Sequence, residues 1–217
     1  MEISIIDGRK EREFRKSTKV LVDVFRSTTT IPYILKMGCN RIIPTASISE
    51  ARSIRKDLPD TVLIGERLGI RIRGFDYNNS PYEVANVDFS GKTVVFTSTN
   101  GTRVLERIKG KGEIFLASFV NARSTSQSLK DMDTVDIVLS NRPDGPADED
   151  MIFGEYLREI LEGKTPDQDA YRDRIMSSKG SRRLSMIGGK HDIEYTMKYD
   201  AVDFTVHYDG KYVVRYG

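Results

Sequence analysis

Asp23, Arg26 and four consecutive hydroxyl side chains, Ser27, Thr28, Thr29 and Thr30, crowd the end of the apolar run "VLVDVF". A carboxylate in the last turn of a buried strand costs free energy unless it is paired or holds a cation. Either Arg26 pairs with Asp23 while the hydroxyls cap a helix, or the group does chemistry. In the second case the helix aims its free N–H groups and positive end at an anion beside Ser27 and Thr28, forming a phosphate or sulfonate cradle next to an acid.

Three more apolar runs end in the same kinds of side chain. After "VLIG" come Glu66 and Arg67, after "VVF" comes "TSTNGT" (97–102), and after "DIVLS" come Asn141, Arg142 and then Asp148, Glu149 and Asp150. Each has an ordinary explanation taken singly: adjacent surface charges, a strand-to-helix turn with Asn100-Gly101 at positive φ, and acids complementing a helix dipole. The segment "LGIRIRGFDYNNSPYEV" after Arg67 is a long loop rich in Gly and Asn, of the kind that carries function. Within it "NNSP" offers amide and hydroxyl groups in a turn stiffened by Pro81.

The elements that must position these groups follow from periodicity. "KVLVDVF", "RIIPTAS", "TVLIGER", "GKTVVFTST", "EIFLASF" and "TVDIVLSNR" read as buried strands. Between or after them lie helix-period segments: "TIPYILKMG" with Pro32 in its first turn, "ISEARSIRKDL" capped by Ser47 or Ser49, "NGTRVLERIKG" closed by Gly110, "NARSTSQSLK", and "DEDMIFGEYLREILEG". Regular alternation of this sort predicts the α/β class, layered α/β/α around a largely parallel sheet, at whose carboxyl edge ligands collect. The terminal "FTVHYDGKYVVRY" alternates about Asp209-Gly210 and predicts an antiparallel hairpin. The chain is expected to be a single domain, 1–217; a division into two similar subdomains, if there is one, falls near 110–135.

Composition narrows the chemistry. The formal charge of +2 arises from 34 basic and 32 acidic residues, giving no bias toward nucleic acid. No apolar run suits a membrane span, and the stretch 1–19 lacks the order of regions of a secretory signal, so a cytoplasmic location is expected. One cysteine excludes an intramolecular disulfide and a cysteine-rich zinc site, and two histidines are too few for most histidine-built centres. A bound metal would have mainly oxygen ligands, which points to Mg2+. Cys39, beside "KMG" with no histidine nearby, reads as a small buried residue, and His191 and His207 as structural.

In order along the chain, "VDVFRSTTT", "GER" with "GFDYNNSP", "TSTNGT", "SFVNA" and the "ED" of "DEDM" resemble the 2-phosphosulfolactate phosphatases of coenzyme M biosynthesis. Weaker likeness continues through "SRRLSMIGGKHDIEYTMKYD" and the hairpin. This chain departs from the family at Phe25, Ser27 and Asn78-Asn79, and around "SNRPDGPADED", where family members are richer in small residues. The resemblance implies a magnesium-dependent phosphatase that converts 2-phospho-3-sulfolactate to 3-sulfolactate. It implies Asp23, Arg26, Glu66 and Arg67 as catalytic residues and Asp23, Glu66 and Asp150 as magnesium ligands. It also implies Ser27, Thr28, Asn79, Ser80, Thr99, Asn100, Gly101, Thr102 and Asn121 as substrate contacts. No aspartyl-phosphate or cysteine-loop-arginine signature is present, so a metal-activated water is the expected nucleophile, with Asp23 as a covalent alternative. A phosphatase of another 2-hydroxy acid phosphate, and a phosphate-ligand binding protein without turnover, are the competing functions; a homodimer is left open.

Overall fold

The structure is a computed structural model and describes residues 1–216. The first half of the chain runs β1 (Glu2–Asp7), β2 (Thr18–Val22), α1 (Ser27–Lys36), β3 (Arg41–Pro44), α2 (Ile48–Asp57), β4 (Val62–Arg67), β5 (Ile70–Arg71), α3 (Pro81–Val84), β6 (Thr93–Thr97) and α4 (Gly101–Ile108). It continues with β7 (Ile114–Leu116), α5 (Ala122–Ser128), β8 (Thr134–Leu139), α6 (Asp148–Leu161), α7 (Gln168–Ser177), α8 (Lys179–Met186), α9 (Lys190–Thr196), β9 (Thr205–Tyr208) and β10 (Val213–Tyr216). All described strands join one sheet in the order β1-β8-β2-β7-β9-β10-β3-β6-β4-β5.

Helices cover both faces, as strands that are apolar at successive positions and point alternate side chains to opposite faces require. On one face Leu21, Leu116, Val138, Ile42, Ile64, Val94 and Phe96 pack with residues of α1, α3 and α4 in one continuous core. Their sequence neighbours face the other way. Val20, Val22, Phe115 and Ile137 meet α5, α6 and α7, while Leu63 and Val95 meet Ala51 of α2. Ser47 is the cap of α2, accepting from the Glu50 N–H, and Gly110 follows α4 with φ +74.

Two features were not visible in the pattern. The "ISII" patch belongs to β1, which pairs in parallel with β8 at the sheet edge. The hairpin forms as expected but sits in the middle of the sheet, antiparallel to β7 on one side and to β3 on the other. It joins a parallel block, β1, β8, β2 and β7, to a second, β3, β6 and β4, and the chain passes between the blocks after β2 and again after β6. Along the ladder the two blocks run in opposite senses. Strand twist of about 20–25° per step turns one against the other by roughly 100° between β2 and β6, and their carboxyl ends converge.

Candidate active site

At that convergence lies a cavity of about 370 Å³, lined by Asp23, Arg26, Glu66, Asn79, Thr99, Asn100 and Arg142 and roofed by Gly180, Arg183, Leu184 and Ile187 of the α8 segment. Asp23, directly after β2, lines it and is 3% exposed. Its Oδ2 accepts the Ser27 hydroxyl at 2.6 Å and the Gly101 N–H at 2.8 Å. The single proton of Ser27 is thereby used, so the Asn79 amide must donate Nδ2 to Ser27 Oγ, at 3.2 Å. That orientation leaves Asn79 Oδ1 buried without a partner. Among the described residues no hydrogen bond reaches Asp23 Oδ1 either. Burial pushes the Asp23 carboxyl above its ordinary range; the Ser27 bond opposes this, the Glu66 charge adds to it, and Gly101 and Arg142 pull it back.

The start of α1 does not present the open row of N–H groups expected of it. The Thr28 N–H bonds the Asp23 carbonyl, and those of Thr29 and Thr30 bond the Arg26 carbonyl. Thr28 Oγ1 accepts the Asp23 N–H and Thr29 Oγ1 donates to the Val24 carbonyl, so these hydroxyls lock the strand-to-helix turn behind the acid. The peptide bond Phe25-Arg26 within that turn is cis.

Glu66, at the end of β4, receives the Thr99 N–H on Oε1 at 2.6 Å and both the Gly69 N–H and the Thr99 hydroxyl on Oε2, at 2.7 and 2.9 Å. Arg26 reaches the cavity wall while its Nη1 bonds Asp192 of α9 at 2.7 Å and its Nη2 bonds the Gly69 carbonyl at 2.8 Å. The simple Asp23–Arg26 pair that the sequence allowed does not form.

Several expected contacts lie behind the wall. Arg67 is spent on the carbonyls of Glu66 and Ala46 and on the Thr97 hydroxyl, and burial lowers its pKa. Ser80 caps α3 and donates to Asp192 at 2.5 Å. Thr102 exchanges bonds with Ser98, and Asn121, fully buried, closes the turn after β7 by bonding Ser118 and Leu116. Asp150 is the acid set apart from the other two: its oxygens accept the N–H groups of Val24 and Asn141 and the Ser140 hydroxyl, tying the ends of β2 and β8 together. It does not line the cavity. The reason is its place in the first turn of α6, which docks against those two strand ends.

Periodicity and motif reading missed Arg9, and they gave no role to Asp192 or to the α8 roof, although the weaker family likeness runs through that segment. Arg9 donates to Asn100 Oδ1 at 2.7 Å and to the carbonyls of Thr99 and Asn141, linking the ends of β6 and β8. Treating "ISII" as a strand would have exposed Arg9 as another strand-end residue. Asp192 and α8 lie in the polar tail, where the weaker likeness names no chemistry and periodicity marks no strand end.

The model of the 2-phosphosulpholactate phosphatase family matches residues 4–211. A protein of Thermoplasma volcanium named "Probable 2-phosphosulfolactate phosphatase" is 42% identical over 97% of this chain and 98% of its own length. Proteins of the same name from Thermoplasma acidophilum and Clostridium acetobutylicum are 40% and 28% identical, covering 97% and 96% of this chain and 94% and 97% of their own.

Proposed function

This chain belongs to the 2-phosphosulpholactate phosphatase family, and we propose on that ground and on the geometry of the cavity that it hydrolyses 2-phospho-3-sulfolactate to 3-sulfolactate and phosphate, with Mg2+ as cofactor. The observation that carries the proposal is the pair of open oxygens, Asp23 Oδ1 and Asn79 Oδ1, beside Glu66 in a cavity where acids are in excess. Asp23, Glu66 and Asp144 line it with Arg26, Arg142 and Arg183, and the buried partners Asp192 and Glu149 bring the count to five carboxylates against three guanidinium groups. Arg9, behind the wall, narrows the excess to five against four, and Asp150, whose buried carboxyl is raised well above its ordinary range, adds no charge. A polyanionic ester enters such a site only with a divalent cation.

Among the described residues no group of three His, Cys, Asp or Glu side chains is placed to hold a metal ion. Magnesium needs fewer, one or two carboxylates, with substrate phosphate and water completing its shell. Asp23, Asn79 and Glu66 would hold it. When bound, the ion supplies charge that neutralises the phosphate oxygens and activates the attacking water. Arg26, fixed by Asp192, presents its guanidinium to a phosphoryl oxygen. Asn100, its carbonyl oxygen taken by Arg9, presents its NH2 group as a further donor. The α8 roof keeps bulk water from the ester.

The test is phosphate release from a panel of phosphorylated 2-hydroxy acids, with and without magnesium. Fastest turnover of 2-phospho-3-sulfolactate, lost in excess chelator, is expected. Full turnover in chelator overturns the cofactor, and preference for another ester overturns the substrate.

A further inference from the structure

The cavity contains a guanidinium that phosphate chemistry leaves unused. Arg142 follows β8, and its side chain is 17% exposed. Among the described residues its one side-chain partner is Glu149, which accepts from Nη2; Nε and Nη1 make no hydrogen bond to protein. Arg26, by contrast, has both terminal nitrogens engaged, and Arg183 is 52% exposed beside Asp144. A mostly buried cation with two open donors in a planar fork is suited to a two-oxygen face of an anion.

Glu149 holds that fork in place. It is 2% exposed, and its Oε2 has no partner. The backbone of Gly180 presses on this oxygen so closely that a Cβ there would lie 2.2 Å away. The acid therefore has no room to swing toward α8, and Arg142 is kept facing the cavity.

Given the proposed substrate, we infer that Arg142 receives the anionic group that is not transferred, the sulfonate or the carboxylate, and that Glu149 is its positioning residue. One end of the cavity then handles the phosphoryl group through Asp23, Asn79 and Glu66, and Arg142 selects for esters that carry a second anion.

Calorimetric binding tests this without relying on turnover. The probes are 3-sulfolactate, lactate, which lacks the sulfonate, 2-hydroxyethanesulfonate, which lacks the carboxylate, and inorganic phosphate, each with magnesium. Losing a charge-assisted hydrogen-bonded pair should weaken 3-sulfolactate by about 10- to 100-fold in Arg142→Met, while phosphate loses far less. Glu149→Gln, which frees the fork, should show a smaller loss in the same direction. The double variant Arg142→Met/Glu149→Gln removes both buried charges and serves if the single variant does not fold. A loss seen with 2-hydroxyethanesulfonate but not lactate assigns the sulfonate, and the reverse assigns the carboxylate. Equal affinity in wild type and variants, no binding to wild type, or an equal loss for phosphate overturns the inference. Arg142-dependent binding without phosphate release from 2-phospho-3-sulfolactate would instead overturn the phosphatase proposal alone.

Discussion

Arg26 and Asp192, 166 positions apart in sequence, form a buried ion pair of 2.7 Å at the cavity wall, with side chains 5% and 3% exposed. Asp192 also accepts the Ser80 hydroxyl and the Tyr82 N–H, so one carboxylate of α9 fixes the cavity-lining arginine and docks α3. Asp192→Asn removes the charge and leaves a buried guanidinium without its counter-ion. A loss of about 3–5 kcal/mol is expected from breaking such a pair, together with lower turnover in the fraction that stays folded. Melting temperature and specific activity on one sample check both effects.

Asp23→Asn should abolish turnover in a folded protein, because the amide keeps the volume and loses the charge that would hold the cation. Arg26→Lys keeps its charge and loses the planar fork, so turnover should fall with magnesium dependence unchanged. Rates across a magnesium titration, with melting curves, separate the two. Near-normal activity of folded Asp23→Asn would remove Asp23 from the chemistry.

Gly101 stands where a Cβ would lie 2.6 Å from Asp23 Oδ2 and 3.1 Å from Ser27. Gly101→Ala must therefore push Asp23 from its bonded position, even though φ at 101 is not in the left-handed region. Weaker magnesium binding, by about tenfold or more for a displaced ligand, is expected with little change in melting temperature. Calorimetric titration with the metal alone measures it.

Asp150 should reveal itself through pH. Burial, with the charges of Glu149 and Asp23 added, raises its pKa well above the ordinary value, against the bonds from Val24 and Asn141. The folded protein then keeps a proton that the unfolded chain gives up near pH ~4. Its stabilising contribution is complete below that value and is lost as pH rises through the folded pKa. Asn cannot titrate, so the melting temperature of Asp150→Asn relative to wild type should move in the variant's favour between about pH 4 and pH 8. A shift in wild type's favour would mean that the folded carboxyl holds its charge.

Cys39 is buried, and burial pushes its thiol up to about 11. It bonds the carbonyls of Arg41 and Lys92, away from the cavity. Cys39→Ala should leave turnover within a few-fold, and the native protein should resist alkylation at neutral pH. A loss of about 10³-fold, the scale of a missing nucleophile, would place the chemistry elsewhere.

The amino-acid sequence by itself determined the alternation of strands and helices, the two-sided burial of the strands, a serine cap on α2 at Ser47 or Ser49, of which the structure uses Ser47, and the terminal hairpin. All of these depend on neighbours a few positions apart, where periodicity and turn chemistry act. It also marked Asp23, Glu66 and the 97–102 loop as strand-end groups, and the fold brings these into one cavity. The tertiary structure alone decided which groups reach that cavity. Arg67 is held behind it by the Ala46 carbonyl and the Thr97 hydroxyl across the strand ends, while Thr102 and Asn121 are held by local bonds to Ser98 and Leu116. Asp150 is taken by two strand-end N–H groups, while Arg26 is held by an acid from the polar tail. The Arg26–Asp192 and Val24–Asp150 bonds join elements far apart in the chain, and the cavity they border lies where the carboxyl ends of the two parallel blocks meet across the inserted hairpin.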